Sequence, residues 1–266
     1  MDKGKIFRAL HEATFIIPNP WDIGTAKLLA AAGFKALATT SAGYAFSRGK
    51  PDGGIGFEEM IDHCRELVGA TSLPVSADLE KGKGDTPESA AETIFAAAAA
   101  GLAGCSIEDF SGDPAKPIYP FDLAVERVKA AAQAARSLKR DFVFTARAEN
   151  FLHGRNDLDD TLKRLRAFEK AGADVLYAPG LSDLATVRLV TAAVKKPVNV
   201  LVVPGFTVRD LATAGARRIS LGSKLTTYAF GMLQTAAREM LQDGTFGFTR
   251  AGMPFAKAQA MFSGDS

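Results

Sequence analysis

A helix-to-strand unit that recurs along the chain is the feature that most limits the fold. In each copy an alanine-rich stretch with helical spacing stops at a glycine, and a short apolar run follows at once. Four segments have this form: 28–40, 95–109, 166–180 and 210–222. Glycine suits a helix end because it has no Cβ and adopts the left-handed conformation without strain. Each segment therefore predicts the helix and the second strand of a strand–helix–strand unit.

Further apolar runs of strand length bring the number of predicted strands to eight. They lie at 15–19, 73–80, 141–149 and 197–203. Predicted helices alternate with the strands, at 22–33, 57–70, 87–101, 121–138, 157–171, 183–194, 207–214 and 224–242. This alternation predicts an α/β protein with a parallel sheet covered by helices.

Eight such units in a chain of 266 residues predict a closed (β/α)8 TIM barrel that forms a single domain over residues 1–266. An open doubly wound sheet is the alternative fold. That fold usually has a glycine-rich phosphate turn after its first strand, and no such turn follows the run FIIPN. The sequence therefore favours the barrel.

Charge and composition exclude several classes of partner. The 32 Lys and Arg residues are interleaved with 30 Asp and Glu residues, so neither nucleic acid nor an anionic membrane is a predicted partner. The most apolar stretch, at 94–104, is shorter than the roughly 20 residues that span a bilayer. Cys64 and Cys105 lie far apart with no histidine at metal-ligand spacing, which argues against a disulfide framework and a zinc site. These features predict a soluble, cytoplasmic protein.

Acidic residues stand at the ends of three predicted strands. Asp78 and Glu80 end the third strand, Glu108 and Asp109 end the fourth, and Glu149 ends the fifth. The carboxyl ends of barrel strands share one rim, where active sites lie. Carboxylates gathered there repel one another unless a cation neutralises them, and oxygen ligands select Mg2+ or Mn2+ over zinc. The pattern predicts a hard-metal site; ordinary ion pairs with Lys or Arg are the alternative.

Arg147 stands inside an otherwise apolar predicted strand. Burying a guanidinium costs free energy unless it meets an anion, so we expect it to pair with Glu108 or Glu149, to bind a substrate carboxylate, or to do both. The segment 41–43 offers backbone N–H groups to an anion, or is only a turn. The connection 109–120 exceeds the usual length of about 2–6 residues and is a predicted lid.

Four motifs, taken in this order, resemble the isocitrate lyase and phosphoenolpyruvate mutase superfamily, and in particular its phosphonomutase-like branch. They are PNPWDIGTAKLLAAAGFKALATTSAGYAFSRGKPDGG, PVSADLEKGKGD, AGCSIEDF and FTARAENF. The resemblance implies a (β/α)8 barrel whose last helix is exchanged between the subunits of a homodimer or homotetramer. Residues 224–266 are accordingly expected to pack on a neighbouring subunit.

The resemblance also implies a cofactor and its ligands. Asp78 and Glu80 match the positions that hold Mg2+, with Glu80 standing where the family has aspartate. Asp52 of the KPD motif matches an aspartate near the metal. The longer side chain of Glu80 is expected to shift the ion or its affinity.

Substrate contacts follow from the same resemblance. Arg147 matches the substrate-binding arginine, and Glu108 matches the acidic residue of the IED motif. Ser41, Ala42 and Gly43 match the loop whose amides take the substrate carboxylate. Arg147, Glu108 and the metal-side Asp52 are therefore the candidate catalytic residues.

The chain departs from the family at its lid. The lyases have a lid cysteine and histidine, and the mutases have a lid asparagine, whereas 111–120 reads SGDPAKPIYP; Gly180 stands where the lyases have a glutamate. The resemblance implies a Mg2+-dependent lyase or phosphonomutase-like enzyme that cleaves a C–C or P–C bond of a small 2-oxo or 2-hydroxy carboxylate through an enolate. The alternatives are a 2-oxo acid decarboxylase or hydrolase, a class II aldolase-like enzyme, and a catalytically silent carboxylate-binding barrel.

Overall fold

The predicted strands form one parallel sheet of eight strands. The structure is a computed structural model that describes residues 2–263. The strands are β1 (Phe15–Ile17), β2 (Leu37–Ala38), β3 (Val75–Asp78), β4 (Gly104–Glu108), β5 (Val143–Arg147), β6 (Val175–Tyr177), β7 (Val198–Leu201) and β8 (Arg218–Ser220). Their order in the sheet is β1-β8-β7-β6-β5-β4-β3-β2, all parallel. This arrangement confirms the predicted (β/α)8 barrel.

Asn19 draws the two end strands of this order, β1 and β2, together. Its side-chain Nδ2 donates to the carbonyl oxygens of Ala38 and Thr39, at 3.2 and 3.0 Å. Its Oδ1 accepts the backbone N–H groups of Leu221 and Gly222, at 2.9 and 3.0 Å. All the hydrogen-bonding capacity of this buried amide is used in joining the ends of β1, β2 and β8. The side chain therefore helps to close the barrel at its carboxyl rim.

Helices cover the outside of the sheet. They are α1 (Lys3–Leu10), α2 (Ile23–Ala31), α3 (Ser41–Ser47), α4 (Phe57–Ala70), α5 (Pro87–Ala99), α6 (Phe121–Ser137), α7 (Leu158–Ala171), α8 (Leu184–Ala192), α9 (Val208–Thr213), α10 (Lys224–Arg238) and α11 (Phe255–Ser263). The glycines that ended the predicted helices all have positive φ, from 86° to 112°: Gly33, Gly101, Gly172 and Gly215. The helix-to-strand unit is therefore built as its sequence predicts.

The short helix α3 is the main local difference from the prediction. Residues 41–43 were expected to form a loop or turn, but they are the first turn of α3. Thr40 caps this helix, because its Oγ1 accepts the N–H of Gly43 at 3.1 Å. A Cβ on Gly43 would lie 2.5 Å from Oγ1 of Thr226, so glycine at this position lets α10 pack closely on α3.

Helix α1 covers the amino-terminal end of the barrel. Its Phe7 is completely buried and packs in an apolar cluster with Ile17, Val143 and Val175. A Cβ on Gly104 would approach the Phe7 ring within 3.1 Å, so the small residue in β4 makes room for the ring. Within residues 2–263, no helix combines the length and the apolar character that crossing a bilayer requires.

We expect Phe7→Ala to lower the free energy of unfolding by about 3–5 kcal/mol, because it removes a buried ring and leaves a cavity in the barrel floor. Phe95→Ala is the matched control, since Phe95 is 48% exposed on α5; its effect should stay within about 0.5 kcal/mol. Urea unfolding followed by the fluorescence of the single tryptophan, Trp21, measures both. Equal losses in the two variants would show that α1 does not seal the barrel.

Candidate active site

A cavity of about 700 Å³ opens at the carboxyl ends of the strands. It continues from the rim into the barrel interior. Polar side chains from all eight strands or their ends line it: Asn19, Thr39, Ser76, Asp78, Ser106, Glu108, Arg147, Tyr177, Asn199, Arg218 and Ser220. An active site at this end is what a (β/α)8 barrel predicts.

Arg147 lies at the centre of the acidic side chains. Its Nη1 is 2.6 Å from Oδ1 of Asp78, and its Nη2 is 3.1 Å from Oε2 of Glu108. Its Nε donates to Oε1 of Glu149 at 2.9 Å, and its Nη2 lies 2.8 Å from the same oxygen in an ion pair. The sequence predicted a partner in Glu108 or Glu149, and the structure gives Arg147 both, together with Asp78.

These three neighbouring carboxylates keep Arg147 positively charged. Burial by itself would lower the pKa of Arg147, but the charges of Glu149, Asp78 and Glu108 outweigh burial and raise that pKa well above its ordinary value. Nη1 carries two N–H groups and contacts only Oδ1 of Asp78 among the described residues, which leaves one N–H on Nη1 uncommitted. Because Arg147 lines the cavity, this N–H can reach a bound anion.

Asp78, Glu80 and Asp52 form the acidic wall on the other side of the site. Ser41 joins this group, because its hydroxyl donates to Oδ2 of Asp78 at 3.0 Å. Burial, and then the charges of Asp78 and Asp52, raise the pKa of Glu80 to about 7. Partial burial and the charge of Asp78 likewise raise the pKa of Asp52. These shifts mean that negative charge on this wall is only partly compensated.

The backbone of Glu80 is strained. Its φ of 50° makes it the only non-glycine residue with positive φ within residues 2–263. A side chain in this region is disfavoured and persists where surrounding contacts hold it. Here the carbonyl oxygen of Glu80 accepts the N–H of Glu108 at 2.9 Å, which fixes the segment after β3 against the end of β4. The strain therefore sits at the predicted metal-binding residue.

The residues present fit a Mg2+ ion. Burial above all raises the pKa of Glu108 well above its usual range despite Arg147, so one guanidinium does not offset the acidic groups around it. No cluster of three His, Cys, Asp or Glu ligands is preassembled in the described chain. Mg2+ usually takes one or two protein carboxylates and keeps several waters, so Asp78 and Glu80 suffice as the residues that would hold it.

Of the predicted carboxylate-binding segment, Ser41 and Ala42 line the cavity. Gly43 is buried away from it, because its N–H is taken by Thr40 and its α-carbon faces α10. The segment's contribution to the cavity wall therefore comes from its first two residues.

The connection 109–120 covers part of the cavity. Phe110, Gly112 and Pro114 lie on the cavity wall, and the ring of Phe110 stacks on that of His153 at 3.8 Å. The Nζ of Lys81 donates to the carbonyl of Ser111 at 2.9 Å, joining this loop to the one that follows β3. The predicted lid thus lies over the predicted site.

Sequence reasoning missed four polar residues of the last three strands. Asn199 and Arg218 line the cavity below the rim, while Tyr177 and Ser220 line it as the last residues of β6 and β8. Asn199 and Arg218 carried a usable signal, because each is a polar residue inside an apolar strand, as Arg147 is. Tyr177 carried no such signal in the sequence, since a tyrosine in a strand is typical of an ordinary hydrophobic core.

Comparison with known proteins places the chain among lyases and mutases. A sequence model of the family described as phosphoenolpyruvate phosphomutase matches residues 7–241. The 2-methylisocitrate lyase of Escherichia coli is 30% identical over 226 residues, which cover 79% of this chain and 75% of that enzyme. A crystal structure from Burkholderia cenocepacia, provisionally described as a lyase/mutase, is 53% identical with a TM-score of 0.96 and covers 98% of this chain and 95% of the other.

A structure of oxaloacetate acetylhydrolase in complex with its product oxalate is also similar. It is 25% identical, has a TM-score of 0.87, and covers 98% of this chain and 93% of the other.

We expect Arg147→Met to lower the free energy of unfolding at pH 7 by about 3–5 kcal/mol, because it leaves buried carboxylates without their cation. Adding Glu108→Gln to that variant should restore about 1–2 kcal/mol, since it removes one of the unpaired charges. Urea unfolding of the two single variants and the double variant measures this coupling. A loss below about 1 kcal/mol for Arg147→Met would contradict the view that this residue holds the rim together.

Proposed function

The chain belongs to the phosphoenolpyruvate phosphomutase family, and from this premise we propose that it is a Mg2+-dependent enzyme that cleaves a C–C or P–C bond of a small 2-oxo or 2-hydroxy carboxylate through an enolate. Mn2+ is the expected substitute ion. The observation that carries the proposal is the excess of carboxylates over the single guanidinium of Arg147 at the barrel rim. A site of this composition suits a cation together with an anionic substrate.

The residues of the chain have separate tasks in this proposal. When bound, Mg2+ supplies a Lewis acid that stabilises negative charge developing on the oxygen of the second carbon of the substrate. Asp78 and Glu80 hold the ion, and Ser41 fixes one oxygen of Asp78 through its hydroxyl. The uncommitted N–H on Nη1 of Arg147 binds the substrate carboxylate, because a charge-assisted hydrogen bond in a buried site is strong.

Two further tasks fall to the surroundings of the site. Glu108 holds Arg147 in place through its contact with Nη2 at 3.1 Å. The connection 109–120 keeps bulk water from the enolate that the cleavage forms, so that solvent does not protonate it at once. Asp52 lines the same cavity and is repelled by the charge of Asp78, and in this proposal it orders water around the ion.

Hydrolysis or decarboxylation of a 2-oxo acid is the second candidate activity within the same family. Decarboxylation is supported by the lid sequence, since CO2 leaves without an acid and 111–120 contains no Cys or His. Hydrolysis is supported by the likeness to oxaloacetate acetylhydrolase, whose structure holds the product oxalate. Both activities pass through the same stabilised charge, so one assay distinguishes them by the products.

We expect purified protein with Mg2+ to convert at least one of four acids: oxaloacetate, methylisocitrate, phosphonopyruvate or phosphoenolpyruvate. NMR identifies the products, and EDTA should abolish turnover because the Lewis acid is removed. Asp78→Asn should reduce turnover by about 100-fold or more, because the variant keeps the shape of the side chain but loses its charge.

Asp62→Asn is the matched control, since Asp62 is an exposed carboxylate on α4 that pairs with Arg65 away from the cavity. It should leave turnover unchanged. The metal-free rate of oxaloacetate loss, and the rate with free Mg2+ alone, are subtracted. Turnover that survives both EDTA and Asp78→Asn would refute a metal-dependent mechanism. Binding of a 2-oxo acid without turnover would favour the catalytically silent barrel.

We further propose that the protein is a homo-oligomer that associates through its C-terminal segment, residues 224–263. Eleven of the seventeen exposed large hydrophobic side chains of the described residues lie in this segment. Leu233 is 67% exposed, Leu241 87% and Phe255 82%. Such a concentration of exposed apolar side chains in one segment is typical of an interface, and a second copy of the chain is its expected occupant.

We expect the double variant Leu233→Glu with Leu241→Glu to be monomeric, because it places charge on the apolar face without touching the barrel core. Leu189→Glu on α8 is the matched control, since Leu189 is 54% exposed outside the segment. Size-exclusion chromatography with light scattering measures the mass of each. A wild-type protein that is monomeric at micromolar concentration would overturn the proposal.

A further inference from the structure

The interior of this barrel is polar one layer below the rim. Ser76, Ser106, Thr145, Asn199 and Arg218 all lie on the strands below their last residues. Four of them line the cavity, and the fifth, Thr145, is in contact with Arg218. Branched apolar residues normally fill the interior layers of a (β/α)8 barrel. The cavity therefore reaches a layer built for polar contact rather than for packing.

Arg218 is the only cation in this layer. It is 5% exposed, and its Nε donates to Oδ1 of Asn199 at 2.9 Å. Its Nη2 donates to Oγ1 of Thr145 at 3.0 Å. Its Nη1 is buried and has no hydrogen-bond partner among the residues that the structure describes. Asn199 is held in turn by Ser220, whose Oγ accepts from Nδ2 at 2.9 Å.

No carboxylate within residues 2–263 forms an ion pair with Arg218. Burial lowers the pKa of Arg218 to about 10, so the side chain still carries its charge at neutral pH. Arg147 does not compensate the charge of Arg218, because it is itself a cation. The carboxylates that pair with Arg147 lie at the rim. A buried charge without a counterion costs a large desolvation free energy. Arg218 thus differs from Arg164, which is also buried but is paired with Asp109 and Asp160.

We propose that Arg218 is a second anion-binding subsite, which receives the distal carboxylate or phosphonate of a dianionic 2-oxo acid inside the barrel. This inference rests on the proposed function, because the rim is taken to hold the 2-oxo acid end of the same molecule. The partner that the free Nη1 lacks is then supplied by the ligand. Asn199 and Thr145 hold Nε and Nη2 of the guanidinium, and Arg218 lines the cavity, so Nη1 is the nitrogen that remains for a ligand.

The spacing of the two subsites defines the length of the ligand. Thr145 and Arg147 lie two positions apart on β5, so their side chains share one face and are separated by about 7 Å along the strand. Arg218 contacts Thr145, whereas the rim contacts are made by Arg147. In this proposal a dicarboxylate such as 2-oxoglutarate reaches from the rim to Arg218, while 2-oxobutyrate has no distal anion to offer Arg218.

Isothermal titration calorimetry with three acids tests the subsite. They are 2-oxobutyrate, 2-oxoglutarate and 2-oxo-4-phosphonobutanoate, titrated with Mg2+ present, and NMR checks that they are not consumed. We expect the wild type to bind the two dianions at least about tenfold more tightly than 2-oxobutyrate. Tighter binding of the carboxylate or of the phosphonate identifies the distal group.

Substitution of the arginine should remove this preference. Arg218→Met should weaken binding of the dianions by about 10-fold to 100-fold and change 2-oxobutyrate binding by less than about twofold. Arg218→Lys should restore part of the loss, because it returns the charge without the fork geometry. Arg217→Met is the matched control, since Arg217 is the exposed neighbour that faces the outside of the barrel; it should bind all three acids like the wild type.

The outcomes separate this inference from the proposed function. Equal loss of affinity for all three acids in Arg218→Met, or a wild type without preference for dianions, overturns the subsite. A lower unfolding midpoint of Arg218→Met with the preference intact also overturns it, because Arg218 is then a structural residue. If no acid is turned over in the earlier assay but the preference exists and depends on Arg218, the subsite stands and the proposed function fails.

Discussion

The guanidinium of Arg147 holds the carboxyl ends of three neighbouring strands together against their own negative charge. It contacts Asp78 from β3, Glu108 from β4 and Glu149 just beyond β5. One positive charge cannot neutralise three carboxylates and the adjoining Glu80, which is why burial and mutual repulsion raise the pKa values of Glu80 and Glu108. The rim is consequently ordered before any ligand binds and still attracts a cation. Both properties are needed for electrostatic stabilisation of a developing charge.

A second buried ion pair supports the first. Asp109 receives the N–H of Glu149 on Oδ1 at 2.8 Å, while its Oδ2 contacts Nη1 of Arg164 at 3.0 Å. Arg164 also pairs with Asp160 in the first turn of α7. The backbone that carries Glu149 is thereby tied to a helix outside the barrel, and Glu149 in turn orients Arg147. Charged groups behind the site thus contribute rigidity, which a catalytic constellation requires.

The architecture could be predicted because its signals are local. An alanine-rich helix, a terminal glycine and an apolar strand recur within windows of about 13 residues, and each window reports its own structure. The helix α3 was missed because its packing against α10 is not contained in any local pattern, and because a threonine such as Thr40 is as typical of a turn as of a helix cap. The carboxylates at the rim were found because strand ends can be read from the sequence.

The ion-pair partners of the buried arginines could not be predicted in this way. Arg147 and Arg218 give the same signal, a cation inside an apolar strand, and the sequence cannot say which of them meets a carboxylate. The register answers this, since Arg147 is the last residue of β5 and reaches the acidic rim, whereas Arg218 is the first residue of β8 and lies a layer lower. Whether a buried arginine meets a carboxylate therefore depends on how deep in the barrel it lies. That depth is set by the register of all eight strands.

The lid sequence bears on which bond the site can break. Cleavage that expels a carbanion needs an acid over the leaving group, and the segment 111–120 has only Asp113, Lys116 and Tyr119 as ionisable residues. The hydroxyl of Tyr119 is committed to Asp85 at 2.5 Å, and burial raises the pKa of Tyr119 above its ordinary range. Neither Asp113 nor Lys116 lines the cavity. The lid segment itself therefore supplies no free acid, and a cleavage that needs one has to draw it from the rest of the cavity wall, where His153 lies against Phe110 of the lid.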